Sequence, residues 1–495
     1  MPILTILIVW PIVAGLVLVF VPQIRAYSRE VALGATLAEL VMAVGLLATF
    51  DRSDAGAIQF TEKYSWIPQI GASWAVGVNG VGLTLIVLAT LLTPLAVLAA
   101  WREDDALDRR AQYLGLILLT EAFMVGIFAA RDLVLFYFLF EAMLIPLYFL
   151  IGAFGGAQRR YAAVKFLIYS LVGGLIMLIG VIAMYFAGPG GTEAYLLDNL
   201  IGGSYPEPWV ENLLFISFFI AFAIKAPLVP VHTWLPTVAE SARAGTTALL
   251  VAVLDKIGTF GMLTLCLPLF PNASRWAAPA IIVIAVISVI YGALVAIGQD
   301  DLYRLVAFTS VSHFGIMVLG IFAFKQTAIE GAAFYMLGHG LSTAALFWLV
   351  GFLEARHGTA SVSAFGGLQK VVPVLSGTFL IVGLSALALP GFAPFAAEIM
   401  VLIGAFEAAR WAVIVAALSV ILAALYILLT YKRIFTGATP VAMESTKELT
   451  VRERLVIWPL IAVMLVLGVV PSLAVDYVRD ASTDAVTIVS EEAGQ

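Results

Sequence analysis

Within the long apolar stretches of this 495-residue chain lie a few side chains that are costly to keep there. Glu141 sits in the run Phe136-Tyr137-Phe138-Leu139-Phe140-Glu141-Ala142-Met143-Leu144-Ile145-Pro146, and Lys225 stands immediately before Ala226-Pro227. Lys256 follows Asp255, and Glu398 follows Leu389-Pro390-Gly391-Phe392-Ala393-Pro394. A charge at the centre of a transmembrane helix costs roughly 2.5–3.5 kcal/mol on the insertion scale. Four left ionised and unpaired would cost about 10–14 kcal/mol, comparable with the whole stability of a domain. Such groups must pair, change protonation state or line a wet cavity. The chemistry open to them is the holding and passing of protons.

Glu141 and Lys225 have opposite charge and similar depth, which makes them the natural pair. At about 4 Å and an effective dielectric near 20 their attraction is about 4 kcal/mol, or about three pKa units. Making or breaking such a pair would switch the lysine between holding and releasing a proton; left static, the pair would only fix helix packing. His313 and His339 fall within spans between the lysines and Glu398 in chain order, and imidazole is the usual carrier near neutral pH. Each also has a plain reading as a hydrogen-bonded packing residue. His232, in His232-Thr233-Trp234-Leu235-Pro236, is a weaker candidate that would serve equally to anchor the chain after Pro227-Leu228-Val229-Pro230. Lys165 is four residues into its span and can snorkel to the surface, so it is a weaker candidate too. Glu121 is intramembrane with no role assigned, Asp255 is a neighbour able to tune Lys256, and His357 reads as a solvated loop residue.

The elements that must position these groups follow from composition. Apolar residues make up 62% of the chain, charged residues 12%, and mean hydropathy is +1.05. A soluble domain is roughly 45–50% apolar and about 25% charged, so a soluble enzyme is excluded. Fourteen runs are long enough to span a bilayer, near 2–21, 29–50, 78–101, 112–130, 132–153, 161–187, 211–236, 245–270, 277–297, 303–323, 328–352, 374–405, 410–433 and 454–475. The runs are continuous rather than alternating, which predicts helices and not a barrel. The first lacks a basic leader and a small-residue cleavage site, and reads as a retained helix. One cysteine, Cys266, and four histidines leave no means of building a Cys or Cys/His metal site or a disulfide framework, and no dinucleotide fingerprint is present. The net charge of −6 gives no case for nucleic acid.

Sixteen Lys and Arg residues lie in loops after odd-numbered spans, against six after even-numbered spans and Arg479 in the tail. The excess predicts the odd loops in the cytoplasm and both termini outside it. Helices four to eight, shifted by about 165 residues, land near helices nine to thirteen. The Ala-Pro pairs 226–227 and 393–394, each in a span interrupted by Pro, fall at nearly that offset. Broken helices at corresponding places in two units of odd helix number predict inverted repeats with a transport site near the midplane. The expected architecture is therefore an all-α polytopic membrane protein of about 14 transmembrane helices. It divides into an N-terminal three-helix segment (1–111), a first five-helix repeat (112–270), an inverted second repeat (277–433) and a final loop, helix and tail (434–495).

Four strings, Leu133–Gly156 around Glu141, Lys225–Pro236 (KAPLVPVHTWLP), Asp255–Gly261 (DKIGTFG) and Gly338–Phe347 (GHGLSTAALF), occur in order. Together they resemble the antiporter-like subunits of respiratory complex I, in particular subunit M of bacterial NADH:quinone oxidoreductase, the counterpart of mitochondrial subunit 4. The likeness is strongest from about 112 to 433. It implies a fourteen-helix fold with two inverted five-helix repeats, and a proton-pumping unit of a membrane arm that belongs to a redox enzyme but carries no redox centre itself. Flavin, Fe–S clusters and quinone are expected on partner subunits, with no cofactor or metal on this chain. The implied partners are the other membrane-arm subunits, neighbouring antiporter-like ones among them, and the implied location is the bacterial inner membrane. By the same resemblance Glu141 pairs with Lys225, Lys256 is the relay, and Glu398 stands toward the exit, where sister subunits usually carry lysine. Asp255 departs from the apolar residue usual before the relay lysine. The homologous subunit of a multi-subunit sodium/proton antiporter is the alternative, and a purely structural membrane anchor a third reading.

Overall fold

The computed structural model describes residues 2–102, 107–203, 205 and 207–491. Its helices, in chain order, are α1 (Ile3–Phe20), α2 (Ser28–Thr49), α3 (Gly80–Ala99), α4 (Leu107–Ala129), α5 (Leu133–Phe154), α6 (Arg159–Ala187), α7 (Pro208–Lys225), α8 (Trp234–Ser241) and α9 (Ala244–Leu269). There follow α10 (Pro271–Ile297), α11 (Leu302–Phe322), α12 (Gln326–His357), α13 (Pro373–Ala386), α14 (Ala393–Ala405), α15 (Arg410–Phe435), α16 (Val451–Val469) and α17 (Ser472–Glu491). Among the described residues twelve helices are each long and apolar enough to cross a membrane, and the pair α16–α17, bent by 66°, would make a thirteenth. The expected span at 374–405 is the two short helices α13 and α14, neither of which is long enough alone.

Local chemistry sets where these elements begin and stop. Asp132 caps α5, its Oδ1 accepting from the amides of Val134 (2.9 Å) and Leu135 (3.0 Å), while its Oδ2 accepts from Ser73. Thr450 and Glu453 form a reciprocal capping box at the start of α16. Pro227 has no amide hydrogen to continue the helix, so α7 ends at Lys225. Trp234 then donates its indole N–H to the Ile224 carbonyl at 2.9 Å, satisfying an acceptor that the break left open. In the other broken span Gly391 takes a φ of 100° between α13 and α14, a backbone conformation that disfavours a side chain.

Two segments differ from the sequence expectation. The connection 51–77 contains an antiparallel hairpin, β1 (Gln59–Ile67) with β2 (Ala72–Val78), and Glu62 on β1 accepts hydrogen bonds from Leu4 and Thr5 at the start of α1. The expected tail after 475 is helical: α17 packs against α12 and α3, and Arg275 donates to the Val489 carbonyl at 2.6 Å. Its low mean hydropathy hid it from a search for apolar runs, since an amphipathic helix buries only one face.

Burial is uneven. The helix α11 is buried along its whole span and α9 and α12 nearly so, whereas α1, α2, α6 and α15 keep most of theirs outward. The titratable groups of α9, α11 and α12 are thereby shielded from lipid by the helices around them. Within α9 two wide, π-helical stretches, Leu250–Leu254 and Met262–Cys266, flank Asp255 and Lys256. Such departures from α geometry recur at functional sites because they redirect side chains and free backbone carbonyls.

Candidate functional site

The N-terminal half of the site is built on α5, α6 and α7. Lys225 is the last residue of α7 and almost wholly buried; its ammonium lies over the rings of Phe140 (5.0 Å) and Phe166 (5.2 Å) and reaches Ser170 Oγ at 3.5 Å. Glu141 is half-buried and leans onto α6 at Gly174, where a Cβ would fall 1.8 Å from its Oε1. That glycine leaves the space the carboxylate occupies. Glu141 and Lys225 feel each other's field, but they do not form an ion pair within 4.0 Å; the expected direct contact is open here. Two aromatic faces hold the ammonium in place of the carboxylate, an electrostatic substitute that needs no counter-ion.

The second half lies where α9, α11 and α12 meet. Lys256 Nζ stands 2.7 Å from His339 Nδ1 and donates to the Val251 carbonyl, also at 2.7 Å, a carbonyl at the wide turn of α9. The His339 ring packs edge-on to His313 with centroids 5.1 Å apart. His313 Nε2 is 3.4 Å from Tyr426 Oη, its ring is 5.7 Å from that of Tyr335, and Tyr335 Oη donates to Glu398 Oε2 at 3.0 Å. Lys256, His339, His313 and Glu398 are therefore brought together, along with two tyrosines the sequence reading did not single out. Tyr335 was legible in principle, because it precedes His339 by four residues and must share its helix face. Tyr426 carried no such signal.

His232 and Lys165 stand apart from this chain. His232 packs on Tyr291 and Phe308 beside the broken segment, with Nδ1 unpartnered, and Lys165 donates to Thr237 Oγ1 at 3.0 Å. His357, expected to be solvated, is half-buried and meets Thr446 Oγ1 at 3.2 Å. Glu121 has a neighbour that sequence reading missed. Glu39 on α2 is the carboxyl whose field it feels; both are fully buried, and neither carboxyl has a hydrogen-bond partner.

A cavity of about 430 Å³ opens at one end of the bundle, lined by Arg102, Arg243, Tyr303, Trp348, Glu354 and Arg452 among others. Tyr303 donates to Glu354 there at 2.6 Å. Trp348 Nε1 in its wall and Thr247 Oγ1 nearby on α9 are buried without a hydrogen-bond partner, as are both carboxylate oxygens of Asp255. Among the described residues no group of three or more His, Cys, Asp or Glu side chains could hold a metal ion.

Polar groups strung through a bundle with two broken helices are the anatomy of a membrane ion-translocating subunit, and comparison with known proteins narrows the class. Residues 130–425 match the family described as NADH:quinone oxidoreductase/Mrp antiporter, TM. NADH-quinone oxidoreductase subunit M of Mycobacterium tuberculosis is 41% identical over 525 aligned positions, covering 99% of this chain and 95% of the relative. A chain of respiratory complex I from Thermus thermophilus superposes with a TM-score of 0.90 at 29% identity, covering 99% of this chain and all of that one. A chain of the Mrp complex from Dietzia shares the fold, with a TM-score of 0.87 at 23% identity and coverage of 99% and 98%. The chain belongs to the NADH:quinone oxidoreductase/Mrp antiporter family of membrane subunits, and it is a multi-pass membrane protein.

Proposed function

We propose that this chain is the proton-translocating, subunit M-type component of the membrane arm of a bacterial NADH:quinone oxidoreductase. Redox chemistry is done by other subunits, which hold the flavin, Fe–S clusters and quinone, and its neighbours are further membrane-arm subunits. The observation that carries the reading is the Lys256–His339 contact of 2.7 Å, continued through His313 and Tyr335 to Glu398. One proton can sit on either member of that contact, as ammonium against neutral imidazole or as amine against imidazolium, so a small change in field moves it.

The path we read begins at the arginine-lined cavity, reaches Lys225 and Glu141 in one unit and Lys256 at the seam, and leaves past Glu398. The open Glu141–Lys225 pair supports a switching role: closing it holds the proton on Lys225, and opening it leaves a buried ammonium without its counter-ion, which favours release of the proton. The breaks at 226–233 and 387–392 support reading α4–α9 and α10–α15 as two inverted units, with boundaries 112–270 and 277–433. The Arg-rich loops support an inner-membrane orientation with that cavity facing the cytoplasm and both termini outside. His232 lies in the broken segment and Lys165 reaches from α6 to Thr237 just after it; on this reading both act by holding that segment.

The test is purification of the tagged chain from its membranes with identification of everything retained. Flavin- and Fe–S-containing subunits with NADH:quinone activity are the expected result, and proton uptake into inverted vesicles should collapse in Lys256→Ala without loss of assembly. Recovery with antiporter subunits that lack redox centres would overturn the complex I assignment in favour of a sodium/proton exchanger.

A further inference from the structure

Asp255 and Lys256 are adjacent in sequence, yet they face different parts of the molecule. Successive residues of a helix point about 100° apart, so neighbours do not share a face. Lys256 turns toward α12, where it meets His339. The opposite seam is marked by Gly258, at which a Cβ would fall 2.5 Å from both the Ala226 amide nitrogen and the Phe222 carbonyl oxygen. This glycine lets α9 lie directly on the end of α7, next to Lys225. Asp255 is one turn before Gly258 on the same face, and the two are joined by the hydrogen bond from the Gly258 amide to the Asp255 carbonyl. The charged groups whose field reaches the Asp255 carboxyl are Lys225 and Lys256.

A static counter-ion would be expected to sit against its cation. Asp255 does not: it forms no ion pair within 4.0 Å with either lysine among the described residues, it is fully buried, and both its oxygens are unpartnered. A carboxyl in that state is free to take a proton, and it stands between an amine on each side.

We propose that Asp255 is a proton carrier joining Lys225, at the end of α7, to Lys256, which faces the second unit through His339. In the first step the Lys225 ammonium gives its proton to the Asp255 carboxylate, leaving a neutral amine and a carboxylic acid. In the second the Asp255 acid gives that proton to a neutral Lys256, restoring the carboxylate and forming the ammonium that contacts His339. The dipeptide Asp255-Lys256 is then the hinge between the two units, taking the proton from one face of α9 and presenting it on another. The inference rests on the proton-translocating reading above.

The experiment uses the assembled complex in inverted membrane vesicles, with assembly checked on native gels. Asp255→Asn keeps shape and packing but removes the proton site, whereas Asp255→Glu keeps the site. Proton uptake per NADH oxidised should fall about tenfold or more in Asp255→Asn and recover in Asp255→Glu. Equal pumping by wild type and Asp255→Asn, with Lys256→Ala inactive, would overturn the carrier role and leave the translocation reading standing. Unchanged pumping in both Asp255→Asn and Lys256→Ala would remove the reading itself. Should Asp255→Asn fail to assemble, the solvent deuterium isotope effect on pumping by Asp255→Glu decides: a larger effect than in wild type is expected, and an unchanged one counts against the carrier.

Discussion

Lys256 Nζ and His339 Nδ1 lie 2.7 Å apart in a site from which both side chains are closed to solvent. With the lysine charged, Nδ1 must accept, so the imidazole carries its hydrogen on Nε2, where it has no hydrogen-bond partner. The next ring, His313, is the group it faces. Replacing His339 by leucine removes the acceptor and strands the ammonium on the Val251 carbonyl alone. Proton uptake in vesicles containing the assembled complex should fall by about two orders of magnitude, the lower range for losing a positioned proton-transfer group.

The two tyrosines should differ in weight. Tyr335 donates to Glu398 at 3.0 Å, while Tyr426 meets His313 at 3.4 Å. A hydrogen bond to a charged group contributes about 1.5–3 kcal/mol, a neutral one about 1 kcal/mol. Tyr335→Phe is expected to slow proton release about ten- to a hundredfold, and Tyr426→Phe less than tenfold. Parallel pumping assays on the two variants rank them, and an equal effect would break the link drawn between Tyr335 and Glu398.

Gly174 is a packing residue with a functional neighbour. A Cβ there would lie 1.8 Å from Glu141 Oε1, so Gly174→Ala must push the carboxyl off α6. The expected result is normal assembly with proton pumping reduced toward the level of Glu141→Gln. If the alanine variant pumps as wild type, the carboxyl has another resting place and Gly174 does not set it.

Two buried carboxyls without hydrogen-bond partners, Glu39 and Glu121, make a prediction about stability. Glu121→Gln removes one of the two buried acids at nearly constant volume and should match or exceed wild type in thermal stability. Glu121→Ala leaves a cavity among packed helices and should fall below the glutamine variant by about 2 kcal/mol. Thermal denaturation of the detergent-solubilised protein orders the three.

Asp301, at the N-terminus of α11 and outside the spans, sets a pH dependence. Burial, reinforced by the carboxylates of Glu240 and Glu354, lifts it from 3.8 to about 6 despite the hydrogen bond from the Arg304 amide. A carboxyl raised in the folded state keeps its proton longer than in the unfolded chain. It therefore favours folding at low pH, and that contribution is lost as pH rises from 3.8 to about 6. Asp301→Asn, which retains a side-chain acceptor, should lack this loss and exceed wild type by about 3 kcal/mol above pH 6. The quantity to measure is the difference in melting temperature between variant and wild type across that interval; a flat difference would contradict the shift.

The apolar runs, the Pro-interrupted spans and the four buried charges at 141, 225, 256 and 398 were legible because each is a local cost that some structure must offset. An ionised group in an apolar run, or a proline in a helix, announces itself wherever the chain later goes. The hairpin at 59–78 and the amphipathic α17 escaped because a search tuned to continuous apolar length passes over alternating and one-faced patterns.

Pairing was a different matter. Opposite charge and similar depth pointed to a closed Glu141–Lys225 pair, yet the ammonium rests over Phe140 and Phe166, and the carboxyl lies against Gly174. Nothing in the residue order joins Glu39 to Glu121, or Tyr426 to His313, across gaps of 82 and 113 positions. Sequence by itself determined which side chains had to find partners, since burial in a bilayer follows from hydropathy alone. Only the tertiary structure decided which partners they found, because at this range contact depends on how helices cross and turn, including the single residue step that sends Asp255 toward one unit and Lys256 toward the other.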